Sequence, residues 1–350
     1  MKIYFRVDFG RYIGLGHLSR CLVLADLFAS KNHDVCFLHH AQEGANAEYF
    51  NGHKHEILGE GVDPTEFSSN DYNTWLGHTQ DQECLQLSRF VTAPAVWIID
   101  HYGISYVVEE YLKNHGQHVV VLDDLKRTHY ADIIIDYSTG STKEDVQKRN
   151  LYSGESLVGK EFCIASMRYA QAKKDSYAKV SKILINLGST TAENVLKVCL
   201  ALNGIFEQFN LRQVQVLFKA GRPLEFTSKN DFQFISTTSS LEKMNIETDL
   251  VIGSYGVALV ERLVQQVPCI NFLVVDNQKD FSAIFKNDDL HSFYGDLRPL
   301  DMTQIRELIK TELRRLNAKI IQNPKCACGI DGRGAFRILE KVEAKFGRGN

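Results

Sequence analysis

Ile3-Tyr4-Phe5-Arg6-Val7-Asp8-Phe9-Gly10-Arg11-Tyr12-Ile13-Gly14-Leu15-Gly16-His17 opens the chain on an apolar run that ends among glycines. Ile3 to Phe9 reads as a buried strand. Beyond it, Leu18, Cys21, Leu22, Ala25 and Phe28 recur at the spacing of a helix's buried face. His17 therefore stands at a strand-to-helix turn kept slim by Gly14 and Gly16. Such a turn leaves backbone N–H groups facing outward, an arrangement that suits phosphate. The positive end of a helix disfavours a protonated imidazole, so the ring is expected to stay neutral and accept a proton. A general base beside an anion cradle follows.

The same alternation continues to the end of the chain, which places it in the α/β class with parallel sheets. In the first half, Ile3–Phe9, Asp34–Leu38, Ala95–Asp100, His118–Leu122 and Asp132–Asp136 read as strands, with helices over Leu18–Ser30 and Val107–Asn114. Residues 53–80 are polar and aperiodic, with room for a short strand and a loop. Met167–Lys182, polar and lysine-rich, reads as the connection between domains. Further strands are expected over Ile183–Leu187, Val214–Phe218, Phe232–Ile235, Asp249–Gly253 and Cys269–Val275. Helices are expected over Ala192–Phe206, Val257–Gln266, Thr303–Asn317 and Ala335–Phe346. The organisation is thus a Rossmann-like domain over 1–170, a linker over 171–182, a second domain over 183–330 and a C-terminal helix over 331–350. Two doubly wound domains of this kind, facing a cleft, present ligands to the carboxyl ends of their strands.

Composition narrows the function. A chain of 350 residues, 44% hydrophobic and 24% charged, has the balance of a soluble globular protein. Its formal net charge of -3 gives no sign of a nucleic-acid partner. The N-terminus enters a strand without the basic and apolar regions of a signal peptide, and no apolar run reaches transmembrane length, so a cytoplasmic location is expected. Most of the eight cysteines sit in apolar stretches as reduced core residues. Cys326 and Cys328 are too close for a usual structural zinc pair and lack two further ligands; Cys36 with His39 and His40 is equally weak. No metal and no cofactor are expected. Gly14-x-Gly16 lacks the third glycine of the dinucleotide fingerprint, since Ser19 stands there, which argues against nicotinamide.

Three more clusters lie at strand ends. Asp100-His101-Tyr102-Gly103 follows Val96-Trp97-Ile98-Ile99, the run expected of a central strand, and is placed to meet a ligand; a strand-ending turn capped by Asp100 is the competing reading. Asp123-Asp124 follows the next strand. These carboxylates suit orienting a histidine or binding a sugar hydroxyl, with capping or an ion pair to Lys126 or Arg127 favoured for at least one. In the second half, Asp249-Leu250-Val251-Ile252-Gly253-Ser254-Tyr255-Gly256-Val257 is a strand, a turn and a helix start. Free N–H groups at Gly256 and Val257 suit a diphosphate, and Glu261, one turn on, is placed for ribose hydroxyls. Asn277-Gln278 follows the next strand, where an amide can serve phosphate or sugar oxygens or cap a helix.

Taken together, these pieces resemble the UDP-2,4-diacetamido-2,4,6-trideoxy-β-L-altropyranose hydrolases of pseudaminic acid biosynthesis. The matching motifs are Phe5-Arg6-x-Asp8, Ile13-Gly14-x-Gly16-His17-x-x-Arg20, Ile99-Asp100-His101-Tyr102-Gly103 and Asp123-Asp124. In the second half they are Asp249-Leu250, the Gly256 turn, Glu261, Pro268, Asn277-Gln278 and Asp331-Gly332-x-Gly334-Ala335-x-Arg337. The resemblance implies the glycosyltransferase-B architecture, a UDP-sugar as small-molecule substrate, and metal-independent inverting attack of water at C1. It implies His17 as the base and Tyr102 beside the reaction centre. Arg6, Asp8, Gly14, Gly16, Asp100, His101, Gly188, Ser254, Gly256, Val257, Glu261, Asn277 and Gln278 become candidate substrate contacts, with uracil against Phe234–Ile235. Two positions depart from the family: Ser189 replaces a second glycine after Gly188, and Tyr255 is bulky beside the Gly256 turn. Both lie on the donor side, and they motivate an alternative, a glycosyltransferase of the same fold that passes a related sugar to an acceptor. A non-catalytic sugar-nucleotide binder is a third reading, disfavoured because a binder needs no base.

Overall fold

β1 (Lys2–Arg6) is an interior strand of a seven-stranded sheet, in the order β3-β2-β1-β4-β5-β6-β7. Its partners are β2 (Asp34–Ala41), β3 (Lys54–Glu60), β4 (Val96–Ile99), β5 (His118–Leu122), β6 (Ile133–Asp136) and β7 (Glu155–Val158), and every pairing is parallel. In this computed structural model the described residues are 1–68, 71–174, 176–177, 179–188, 190–218, 225–236, 240–319, 321–322 and 329–347. The chain forms two compact units, Met1–Ile164 with Arg333–Asn350, and Ala165–Gly332.

The first unit is built on strands that bury both faces. Val96, Trp97, Ile98 and Ile99 are all buried, and the Trp97 indole N–H finds the Gln117 side-chain oxygen at 3.1 Å. That bond meets the need of a buried indole for an acceptor. The helix Gly16–Ser30 covers the sheet with Leu18, Cys21, Leu24, Ala25 and Phe28. Leu24, rather than the expected Leu22, completes the stripe. Burying each large side chain of this kind stabilises by roughly 1.5–3 kcal/mol. The sheet order reverses direction between β1 and β4, so the loops that leave these two neighbours diverge and open a crevice at their carboxyl ends.

A second parallel sheet runs β11-β10-β9-β12-β13-β14 in the other unit. Its strands are β9 (Lys182–Asn186), β10 (Gln213–Leu217), β11 (Phe232–Ile235), β12 (Leu250–Ser254), β13 (Cys269–Leu273) and β14 (His291–Asp296). Here the reversal falls between β9 and β12, which puts Gly188 and Gly256 at the switch. The segment expected to be a bare connection holds a short helix, Met167–Gln171, and β8 (Ser176–Tyr177), which pairs antiparallel with β15 (Ile321–Gln322).

The last helix, Gly334–Phe346, belongs to the first unit. It buries Ala335, Ile338, Leu339 and Val342, a spacing that gives one apolar face. It packs on the helix Gly16–Ser30 and on the turn Lys160–Phe162. Arg337 donates to the Glu161 carbonyl at 2.8 Å, and Phe346 stacks on His118 with ring centroids 4.4 Å apart.

Some expectations are corrected. β1 ends at Arg6, not Phe9, because Gly10 and Gly14 pair with each other and turn the chain away. β3 fills the stretch over residues 53–80 where a short strand had room, while β7, β14 and the helix Gln80–Leu87 are elements the sequence did not reveal. Six cysteines (21, 36, 84, 163, 199 and 269) are buried and free; Cys326 and Cys328 lie outside the described residues. Among the described residues, no helix is long and apolar enough to cross a membrane.

Candidate active site

His17 and Asp100 meet at the first unit's switch point, one following β1 and the other following β4. His17 is 8% exposed, and its Nδ1 lies 2.6 Å from Oδ1 of Asp100, which is fully buried. Burial alone would push the Asp100 carboxyl up, but Arg20 and then His17 outweigh it and hold the group well below the usual carboxylate range. An ionised carboxylate only accepts, so Nδ1 carries the proton and Nε2 is the ring atom left to receive one. The ring is wedged against Tyr102, with centroids 4.4 Å apart and edge to face, and Trp75 lies 6.1 Å away.

Tyr102 is tied down as well. Its hydroxyl donates to Asp124 at 2.9 Å, and burial pushes its ionisation well above the ordinary tyrosine range. It therefore remains a neutral phenol that shapes the space beside the imidazole. Gly14 adopts φ +84°, and Gly16 has open space where a side chain would stand. Leu15, at the N-cap, gives no side-chain cap, and the first turn contains no acidic residue.

Arg6, Asp8, Asp100 and His101 occupy a different place from the one read in sequence. All four are buried, and they form supports rather than a ligand-facing surface. Arg6 pairs with Asp8 at 2.7 Å and with Glu83 at 2.7 Å. His101 accepts from the Gly103 N–H at 3.0 Å through Nδ1, so its Nε2–H donates to Asp8 at 3.1 Å. Burial lowers the pKa of His101, which keeps that tautomer. The physical reason is charge: buried ions persist only when paired, and here each partner is another protein group.

Several residues at this site had no clear sequence signal. Trp75 and Tyr72 arrive from the aperiodic stretch and pack on Tyr102, at 5.2 and 4.9 Å between centroids. Asp124 pairs with Arg20 at 2.6 Å and accepts from Ser138 at 2.6 Å. Asp123 caps Leu125 and Arg127 backbone N–H groups and pairs with Arg127, the use favoured for one of the two. His40, His78 and Glu83 bring three ligand-type atoms within 4.8 Å of one another. Arg6, however, already binds Glu83 and contacts His40 at 2.8 Å, so a divalent ion would sit beside a buried guanidinium. Cys36, His39 and His40 do not converge: His39 contacts His55 at 3.3 Å and Cys36 packs in the core.

In the second unit, Gly188 (φ +64°) and Gly256 (φ +112°) both use backbone that favours glycine. A Cβ on Gly188 would lie 3.4 Å from the Ser254 hydroxyl. The helix Val257–Val264 starts at Gly256 with no side-chain cap. Beneath it, Arg262 donates to the Ser254 carbonyl at 2.6 Å and fixes the turn. Gln278 is a brace: it donates to the Tyr255 carbonyl at 2.8 Å and accepts from Val274 at 3.0 Å. Asn277 differs, since its side-chain oxygen is buried with no hydrogen-bond partner among the described residues. Tyr255 sends its bulk inward, where its hydroxyl donates to the Tyr294 carbonyl at 3.0 Å. Ser189 lies outside the described residues. Phe234, on edge strand β11, is 44% exposed.

Glu261 is partly buried, and burial pushes its carboxyl up to about 7 despite a hydrogen bond with Tyr169. A carboxyl raised on folding costs stability once it ionises. The penalty is absent below the unfolded value near 4.5, grows as pH rises, and is complete above about 7. Glu261→Gln is therefore expected to stabilise the second unit at pH 8 by on the order of 2–3 kcal/mol, a gain that fades toward pH 4. Urea denaturation of both proteins at the two pH values checks this; an equal gain at both would refute it.

No family profile matches the sequence. The UDP-2,4-diacetamido-2,4,6-trideoxy-β-L-altropyranose hydrolase of Campylobacter jejuni is 25% identical over 196 residues, which is 56% of this chain and 63% of that protein. Among solved structures, the glycosyltransferase of kitacinnamycin superposes with a TM-score of 0.65 at 12% identity, covering 98% of each chain. Staphylococcus aureus MnaA, solved with UDP, gives 0.61 at 10% identity, covering 99% of this chain and 97% of its own. The chain therefore has the two-domain α/β fold of the glycosyltransferase-B class, and over little more than half its length it resembles that hydrolase.

Proposed function

We propose that the protein processes nucleotide sugars, and that its reaction is the hydrolysis of UDP-2,4-diacetamido-2,4,6-trideoxy-β-L-altropyranose in pseudaminic acid biosynthesis. One observation carries this reading: an imidazole held by a buried carboxylate through Nδ1, with Nε2 left to take a proton. The similarity to the Campylobacter jejuni hydrolase supports the choice of substrate.

In this mechanism Nε2 of His17 removes a proton from water as the water oxygen bonds to C1 of the sugar. The C1–O bond to the diphosphate breaks, its electron pair leaves with UDP, and configuration at C1 inverts. Tyr102 and Trp75 wall off the imidazole. The second unit supplies the nucleotide site, with the Gly256–Val257 amides and the start of their helix stabilising the charge that develops on the diphosphate. Glu261 takes the ribose hydroxyls, and the unsatisfied oxygen of Asn277 accepts from the nucleotide or sugar. The glycosyltransferase alternative loses one of its two motives, because Tyr255 is turned into the interior.

Hydrolysis in ¹⁸O-labelled water tests the reading. Label at C1 of the released sugar, with UDP formed in the absence of any acceptor, is the expected result. UDP formed only when an acceptor is added would establish transfer instead, and label in UDP would place the attack on phosphorus.

A further inference from the structure

We propose that Arg20 is a positioning residue that governs the protonation of His17, by neutralising the carboxylate that orients it. The inference rests on the reading of His17 as the base. His17, Arg20 and Cys21 stand at i, i+3 and i+4 on one helix, so all three reach the same partner. That partner is Asp100. Arg20 grips it with a two-pronged contact, Nε to Oδ2 at 2.5 Å and Nη2 to Oδ1 at 2.5 Å, while His17 shares Oδ1 and Cys21 donates to Oδ2 at 3.6 Å. The third arm, Nη1, meets Asp124 at 2.6 Å and the Tyr137 hydroxyl at 3.1 Å.

These groups serve two needs that ordinarily conflict. A carboxylate on Nδ1 fixes the tautomer and aims the ring, but it also favours the imidazolium, which cannot act as a base. A guanidinium bound to the same carboxylate cancels much of that bias and leaves the geometry intact. Among the described residues, the charged and titratable groups around His17 are Arg20 and Cys21 on its own helix, with Nη2 of Arg20 also 3.3 Å from Nδ1 of His17; Asp100 after β4; Tyr102 with its neutral phenol; Asp124 and Tyr137, which act through Arg20; and Arg127, whose guanidinium lies 5.8 Å from the Tyr102 ring. Trp75 contributes an uncharged ring. Arg20 is the cation that contacts both Asp100 and His17, so its removal has a definite sign.

Nuclear magnetic resonance titration of ¹⁵N-histidine-labelled protein, without substrate, tests the inference. In Arg20→Gln the His17 midpoint is expected to rise by about one pH unit or more, because Asp100 and Asp124 then act on the ring unopposed. The acid limb of kcat/KM for UDP release shifts upward with it, so activity lost at neutral pH partly returns at higher pH. A purely structural role lowers kcat/KM at every pH and leaves the midpoint in place. Asp124→Asn gives the reverse sign, because Arg20 is then left wholly to Asp100, and it serves if Arg20→Gln fails to fold. A midpoint that stays fixed or moves the other way in either variant overturns the proposal. The titration needs no turnover, so its failure is separate from that of the hydrolase reading, which a fully active His17→Asn would sink.

Discussion

His17→Asn is expected to lower UDP release from the diacetamido-trideoxyhexose nucleotide by roughly 10²–10⁴-fold, the range that a positioned general base contributes. Asparagine is the informative choice. Its side-chain N–H₂ can replace Nδ1–H as the donor to Asp100, so the buried carboxylate keeps its contact, yet nothing remains at the position of Nε2 to take a proton. Ground-state binding of UDP should be little changed, since the nucleotide contacts are assigned to the other unit. The measurement is single-turnover UDP release, with thermal unfolding as the control for folding. A rate within tenfold of the wild type, in a folded variant, removes His17 from the chemistry.

Gly334→Ala has the largest expected effect on stability. A Cβ there would lie 2.1 Å from the Cys163 carbonyl oxygen and 2.6 Å from the Phe162 carbonyl carbon, both backbone atoms that cannot swing aside. Alanine is the better helix former by about 1 kcal/mol, so propensity alone predicts a gain. The clash wins, because relieving it means lifting the helix Gly334–Phe346 from its seat and loosening Ala335, Ile338, Leu339 and Val342. A net loss of about 3 kcal/mol is expected, at the upper end of overpacking costs. For a unit of this size that lowers Tm by roughly 6–12 °C, which calorimetry will resolve. An unchanged or raised Tm would show that the close approach relaxes without cost.

The central strands were readable because burial on both faces writes itself as unbroken apolar sequence, as in Val96-Trp97-Ile98-Ile99. Edge strands carry a weaker mark, and of the four in the two large sheets only β11 (Phe232–Ile235) was read with its bounds. Of β3, only Leu58 is buried, so the short strand allowed within residues 53–80 could not be placed there; β7 and β14 also lie at sheet edges. The tight turns at Gly14, Gly188 and Gly256 were legible from strand-to-turn punctuation, and each has positive φ. What could not be read was who holds whom. Asp100 and His17 are 83 positions apart, and their pairing follows from β1 and β4 lying side by side, which local sequence does not express. Arg6, Asp8 and His101 misled for the same reason: polar residues at strand ends look exposed until their partners, Glu83 among them, arrive from elsewhere in the chain. Trp75 and Tyr72 were hidden in a stretch without period, where only tertiary packing gives the rings a role.

Because residues 165–332 are spliced between Ile164 and Arg333, the lobe that bears the imidazole is discontinuous in sequence. On the ribosome, the inserted lobe has all its strands before the first lobe has received its closing helix. The first lobe must then wait, with the apolar seat of Ile338 and Val342 unroofed, for a segment translated only after the whole inserted lobe. A nascent chain arrested before residue 334 would accordingly carry a finished inserted lobe beside a partner still open to chaperones and proteases.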